Sequence, residues 1–383
     1  MHQIKKKEIQ FIISVIIFFI IFFWSPQKFW EISMVPYVKT IDFFDLRYLQ
    51  YLSSFYEDIF KTPKDLYTNN PMVMNYPRIW IVLSHFINIK HDIILYSIYF
   101  ITFVLYGFIF FYLTKKFNSY FFIYIFYSGV SLLLLERGNV DIFIFLILYF
   151  SYFSSKTYLN YFGYILCSIL KIYPSFSLLF FLNKKKPLIV IFILALIFVI
   201  YFYIIKSDAY YISLNSPKSG HASYGLLSII LNFKEHYEIN IDYQLIIILN
   251  ILFVLLTYYF FFKKFFSIKE TQYSDFFLAG AGIFIFTFLI NTHHDYRLIF
   301  LTFCIPMILK LENKTISLSY LIFMVFAFEL QRLLAIFGFW GGFVSSIFKF
   351  ALFYLNCFLY LDLVEKIFFK KIIFKFFNNN ILK

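Results

Sequence analysis

Apolar runs of roughly 12 to 22 residues recur from one end of this chain to the other, parted only by short clusters of Lys, Asn, Asp or His. Such runs leave little choice of solvent. Of the 383 residues 62% are hydrophobic and 14% charged, with 60 Phe and 33 Tyr, which is more apolar surface than a soluble core can take in. In hydrocarbon an irregular backbone leaves costly unpaired amides, so the expected fold is an all-α, polytopic membrane helical bundle. Cys167, Cys304 and Cys357 each lie inside an apolar run, without CxxC or CxxH spacing, and read as buried small hydrophobes. Lys5, Lys6 and Lys7 followed by the apolar stretch 9–24 resemble a signal peptide. Ser25, Pro26, Gln27 and Lys28 offer no small-residue cleavage site, so that stretch is expected to be the first span.

Candidate spans fall at about 9–24, 92–113, 120–135, 140–154, 157–171, 173–183, 187–205, 244–262, 274–291, 297–309, 315–330 and 345–364, about twelve crossings in a single transmembrane domain over 1–383. Several fall short of the ~20 residues a straight crossing needs, so some are expected to be half-buried, broken or packed against a cavity. Pro174 donates no backbone bond, which predicts a kink or turn at 171–174. One side then carries 19 lysines, from Lys5 to the tail 366–383, against six acids, a difference equal to the net charge of +13. The positive-inside rule makes that side cytoplasmic, with both termini in it, in the cell inner membrane. The excess positive charge is topological, so no nucleic-acid partner is expected, and the Lys-, Phe- and Asn-rich tail reads as interfacial.

The other side holds two long loops, about 25–91 and 206–243, and all five arginines, Arg47, Arg78, Arg137, Arg297 and Arg332, in a chain with 29 Lys. Arginine confined to one face points to ligands that suit a planar guanidinium fork, carboxylates or phosphates. The same residues equally snorkel, or pair with acids such as Asp58, Asp141 and Asp295. In the first loop Leu49, Leu52, Phe55, Tyr56 and Ile59 fall at helical spacing, which predicts an amphipathic helix on the membrane surface. Asp45 stands at its start, either as a dipole-favoured carboxylate or, like Asp42, as a plain N-cap.

Three further polar clusters sit at the outer ends of spans: Glu136 to Asp141, Leu170 to Pro174, and Asn291 to Arg297. With the first loop they fall at one membrane depth although about 250 residues separate the extremes, and polar groups gathered at one depth usually line a site. His293 and His294 are adjacent, diverge by ~100° on a helix and lack HxxxH spacing, so no metal is expected; they either donate to a substrate or meet water. There is no GxxxxGK[ST], no GxGxxG after a strand and no GxSxG, so nucleotide and serine hydrolysis lack support and no cofactor is implied. Carboxylates cluster at span ends, which weighs against a proton-coupled transporter; Lys349 is the main mid-span charge.

Asp-Leu-Arg at 45–47, Asn-Tyr-Pro-Arg-Ile-Trp at 75–80, Arg-Gly-Asn-Val-Asp at 137–141 and Leu-Lys-Ile-Tyr-Pro at 170–174 resemble, in order, motifs of the GT-C membrane glycosyltransferases, most nearly glycosyltransferase family 87, the polyprenyl-phosphate-mannose-dependent mannosyltransferases. The likeness covers about residues 40–180, and beyond it only the His-His-Asp-Tyr-Arg stretch at 293–297 is familiar. It implies transfer of one sugar from a polyprenyl-phosphate donor to a lipid-linked or glycan acceptor outside the cytoplasm, with a first-loop aspartate as general base. Asp45 takes that position because Leu46 and Arg47 follow it, and Asp42 is the competing assignment. Where the family more often has Gly-Gln-Val-Asn this chain has Gly138-Asn139-Val140-Asp141, so donor preference does not carry over.

A single carboxylate suffices for inverting transfer, because phosphate leaves as an anion and needs no acid, only cations to hold its charge. Arg137, Lys171, Arg297 and Arg78 are candidates for that clamp, and Arg47, Tyr76, Asn139, Asp141, Tyr173, His293 and His294 for substrate contact. An O-antigen-type glycan polymerase and a polysaccharide flippase or transporter are the competing expectations. The first is disfavoured by a 206–243 loop without arginine.

Overall fold

A computed structural model describes residues 2–34, 44–68, 76–184, 186–215, 223–228, 230–231, 242–265, 268–290 and 293–368. These residues are helical almost throughout. In chain order the helices are α1 (His2–Trp24), α2 (Pro26–Ser33), α3 (Phe44–Leu52), α4 (Pro63–Thr68), α5 (Ile79–Phe86), α6 (Asp92–Phe117), α7 (Phe121–Tyr127), α8 (Gly129–Arg137), α9 (Asp141–Tyr152), α10 (Thr157–Leu170), α11 (Pro187–Asn215), α12 (Tyr243–Thr257), α13 (Ser274–Ile290), α14 (Ile305–Ile308), α15 (Lys314–Phe328), α16 (Leu330–Phe337) and α17 (Phe339–Phe368). Among the described residues the extended pairing is one short antiparallel ladder, β1 (Ser223–Tyr224) against β2 (His293–His294).

Four helices among the described residues are long and apolar enough to cross a bilayer: Asp92–Phe117, Pro187–Leu214, Tyr243–Phe262 and Trp340–Phe368. The bent pair Lys314–Phe328 and Leu330–Phe337 makes a fifth if it counts as one span. This is a helical membrane protein. Other expected spans take shorter forms. The stretch 120–135 breaks at Ser128, which is extended (φ −65, ψ 156) and whose hydroxyl accepts from the Ser131 amide to start α8. The stretches 173–183 and 297–309 contain the 3₁₀ segments Tyr173–Asn183 and Asp295–Phe303. Lys171 is extended (φ −149, ψ 146) and ends α10 three residues before Pro174, where a kink or turn was expected.

Two expectations of extent change. The helix begun at 187 runs to Asn215, past the expected end at 205, because 206–215 contains neither Gly nor Pro; the expected 206–243 loop is shortened accordingly. The first-loop helix stops at Leu52 and tightens into a 3₁₀ segment over Ser53–Phe60. There the Ser53 and Ser54 hydroxyls donate to the Gln50 and Tyr51 carbonyls, both at 2.7 Å, competing with the α-helical ladder. Leu46, Leu49 and Leu52 bury the apolar face of α3 as their spacing predicts.

The chain packs as two compact units. The first comprises Met1–Ile172, Val199–Pro217 and Phe328–Gly341, with a core of aromatic rings around Phe103, Tyr106, Phe110, Phe126 and Phe145. The second comprises Tyr173–Phe198, Lys218–Ala327 and Gly342–Lys383 and centres on α13. Small residues at 279–282 let two 3₁₀ segments press against that helix. A Cβ on Gly282 would stand 2.4 Å from the Phe176 carbonyl oxygen, and one on Gly280 would stand 2.7 Å from that of Phe300. Gly282→Ala is therefore expected to cost about 1–3 kcal/mol, since backbone must move. Gly107→Ala, whose Cβ would meet only Phe126 at 3.8 Å, is expected to be neutral or stabilising by up to about 1 kcal/mol. Thermal unfolding in detergent checks the contrast; equal melting temperatures would refute it.

Candidate functional site

The candidate site is built where α8 ends and α9 begins. Gly138 closes α8 in the left-handed conformation (φ 56, ψ 37), which a Cβ disfavours. The Gly138 and Asn139 amides fall back on the Leu135 and Leu134 carbonyls at 3.0 and 3.3 Å. That cap turns the chain so that Asn139 is fully buried at the start of the next helix. Asn139 Oδ1 accepts from the Asp141 amide at 2.8 Å, a side chain bonding backbone two residues on, and Asp141 falls in the first turn of α9. The other end of the same amide, Nδ2, donates to Asp45 Oδ2. Asp45 lies in the first turn of α3, so two motifs 94 residues apart meet through one side chain.

A third motif joins through Lys171, whose ammonium pairs with Asp141 Oδ1; the two side chains are 9% and 0% exposed. The Lys171 Nζ also lies 5.2 Å from the centroid of the Tyr76 ring. Tyr76 meets Tyr48 on α3 and Trp80 on α5, with ring centroids 5.8 and 6.3 Å away. Trp80 Nε1 donates to the Leu170 carbonyl at 2.9 Å, tying α5 to the end of α10. Asp45, Tyr76, Asn139, Asp141 and Lys171 thus form one connected cluster walled by aromatic rings.

The charges are matched unevenly. Lys171 has Asp141, and Arg137 Nε lies 3.2 Å from the buried Glu136 Oε2, with 29% of the arginine side chain exposed. Asp45 is held by a neutral amide instead. It is enclosed by protein with only part of its surface open, and burial pushes its carboxyl above the usual range. The Asn139 hydrogen bond and the positive charges of Arg137 and Lys171 work the other way, and Asp141 adds to the rise.

The remaining predicted residues are engaged elsewhere or belong to the second unit. Arg78 forms a bidentate pair with Asp208 at 2.8 and 2.9 Å, and its NH1 donates to the Ile59 and Lys61 carbonyls at 2.5 and 2.8 Å. It fastens the first loop to α11. Arg47 NH1 contacts Asp92 at 2.6 Å and its NH2 donates to the Tyr96 hydroxyl at 2.9 Å. In the second unit the Arg297 guanidinium lies 5.2 Å from the Tyr173 ring centroid, and His294 stacks with Tyr296 at 5.4 Å. His293 is placed by its backbone pairing with Tyr224. Asp42 lies outside the described residues. Lys349, the mid-span charge, is buried against Asp295 at 2.6 Å, so that span carries a neutralised pair.

Comparison of the chain with family models, with curated proteins and with solved structures finds no match. Sequence reading missed Asp208 as the partner of Arg78, because it treated 206–243 as loop, and it missed Trp80 as the tie between α5 and α10. The first shows once 206–215 is seen to lack helix breakers. The second depends on a carbonyl 90 residues away and leaves no local trace. Lys171→Met strands the buried Asp141 carboxylate and is expected to cost about 3–5 kcal/mol, while adding Asp141→Asn recovers most of that loss. A double-mutant cycle by denaturant unfolding in micelles checks it, and simple additivity would mean the pair is not coupled.

Proposed function

We propose that this protein is a GT-C-like, inverting glycosyltransferase that moves one sugar from a polyprenyl-phosphate donor to a lipid-linked or glycan acceptor on the non-cytoplasmic face. The carrying observation is the chain Asp45–Asn139–Asp141–Lys171, which brings three of the family-like motifs into one cluster. In this reading the acceptor hydroxyl oxygen attacks the anomeric carbon while the bond from that carbon to the phosphate oxygen breaks. Asp45 takes the hydroxyl proton, and the lipid phosphate leaves with the bonding pair as an anion. A carboxylate with raised proton affinity suits that task, since an ordinary one is a weak base near neutrality. Tyr48, Tyr76 and Trp80, buried against one another, form the apolar wall behind that group. Arg137, partly open to solvent beside Glu136, is the group best able to turn to the phosphate.

An apolar groove of about 540 Å³ along α6, α9 and α10 in the same unit supports a lipid-borne substrate; Phe143, Leu146, Phe150 and Leu166 are among its walls. The full reading places about twelve passes in the inner membrane, counting short and 3₁₀ segments, with the lysine-rich side and both termini in the cytoplasm.

Asp45→Asn is expected to abolish transfer without loss of insertion, read as one sugar unit missing by mass spectrometry of membrane glycolipids. Full activity in that variant removes Asp45 from the role. In the wild type the base form appears as pH rises through the raised Asp45 pKa, so the rate climbs with pH over a limb lying above the usual carboxylate range. A limb at an ordinary carboxylate pKa would contradict the burial effect. Arg137→Lys keeps the charge but loses the fork, and a fall in transfer of about tenfold or more is expected. Equal rates would make Arg137 structural.

A further inference from the structure

Arg332, the fifth arginine, takes no part in that chemistry, and neither does its neighbour Glu329. Glu329 occupies the one-residue break between α15 and α16 (φ −103, ψ 19). Its Oε2 accepts from the Gly129 amide at 3.2 Å, at the very start of α8. That amide is one of the donors a helix leaves without an internal partner, and a carboxylate there also meets the positive end of the helix dipole. The approach is close: a Cβ on Gly129 would stand 3.0 Å from the Phe328 carbonyl oxygen and 3.3 Å from Glu329 Oε2. Tyr124 faces the same carboxylate.

Arg332 gathers three segments at this point. Its Nε donates to the Ser33 carbonyl at 3.0 Å, its NH2 to the Tyr127 carbonyl at 2.8 Å and its NH1 to Glu329 Oε2 at 3.0 Å. The ends of α2 and α7 and the start of α8 are thereby fixed to one side chain pair. The Glu329–Arg332 pair is itself half-buried, three residues apart on the chain. The weight lies in the two carbonyls and the amide it organises.

We propose that Glu329 and Arg332 are positioning residues, holding the first turn of α8 so that the turn at its far end presents Asn139 to Asp45. From Gly129 to Glu136 every residue of α8 is buried, and the helix is a single nine-residue rod. At ~1.5 Å per residue it transmits a shift of its start over roughly 13 Å to Gly138. This rests on the reading of Asp45 as the base, but its central measurements do not need turnover.

The full-length chain is reconstituted in lipid nanodiscs, as wild type and as Glu329→Ala. Amide exchange is followed over α8, with the neighbouring α9–α10 hairpin as internal reference. The pH dependence of Asp45 modification by a water-soluble carbodiimide is measured in parallel, with Asp45→Asn assigning the label. The expected result is about tenfold faster exchange in α8 with the hairpin unchanged, as a released capping interaction produces. Asp45 labelling is expected to shift to higher pH, because the Asn139 hydrogen bond that lowers its proton affinity is weakened while Arg137, Lys171 and Asp141 remain. Even loosening of the whole unit, or unchanged α8 protection and an unchanged labelling profile, overturns the proposal. Should Glu329→Ala fail to insert, Glu329→Met decides on the same readings, since it keeps the length of the side chain but removes the acceptor for Gly129; wild-type behaviour in both readings then overturns it. A wild type that transfers no sugar overturns the proposed function and leaves these readings to decide the positioning role.

Discussion

Asn139 uses both ends of its amide at once: the oxygen starts α9 by accepting from Asp141, and the nitrogen holds Asp45 at the start of α3. A fully buried amide left half-satisfied costs roughly 1–3 kcal/mol, so each bond depends on the other being made. The placement of α3 over the α8–α9 turn therefore follows from local turn chemistry as much as from packing. Neither Asp nor Glu at 139 supplies a donor in its ionised form, and Ala supplies nothing. The arrangement requires a side chain with a donor and an acceptor on one short stem, which is what Asn139 supplies. Asn suits the two-residue reach to the Asp141 amide better than its longer homologue.

From that junction the electrostatics follow. Lipid and aromatic packing lower the local dielectric, so an unpaired charge is penalised heavily and cations settle against carboxylates. Lys171 with Asp141 and Arg137 with Glu136 obey this in the first unit, as Lys349 with Asp295 does in the second. Asp45 has no cation in contact among the described residues and is stabilised instead by a neutral donor. A carboxylate in that position is the one whose protonation responds most easily to what approaches it. On the proposed reading a donor phosphate would compete with Glu136 for Arg137, a side chain that is partly exposed.

Much of this was legible in the sequence. The length and spacing of apolar runs identify a helical membrane protein, and Pro174 marks the turn after α10, because each is a local signal with a local cause. The structure joins residues of the motifs at 45–47, 137–141 and 170–174 through Asn139 and Lys171. What sequence does not encode locally is which partner each side chain takes. Arg78 and Arg137 look alike as motif arginines, yet the first binds Asp208 and two carbonyls while the second lies against its own neighbour Glu136 with 29% of its side chain exposed. The length of the first-loop helix was also misjudged. Hydrophobic spacing continues to Ile59, but two consecutive serines offer the backbone another partner after Leu52.

The broken and 3₁₀ segments have a common logic. A continuous α-helix through 120–135 would satisfy its own backbone and leave nothing to anchor its midpoint. The break at Ser128 ends α7 and opens α8 with unpaired amides, and those amides are what a remote carboxylate such as Glu329 can grip. A helix end needs its backbone groups capped, by flanking residues or by distant chain brought up to it. In the first unit the caps are Ser128 and Glu329 at one end of α8, Gly138 and Asn139 at the other, and the candidate base sits against the second. Breaking the helix thus converts a uniform apolar rod into a short strut with two addressable ends, and the polar chemistry gathers where the strut stops.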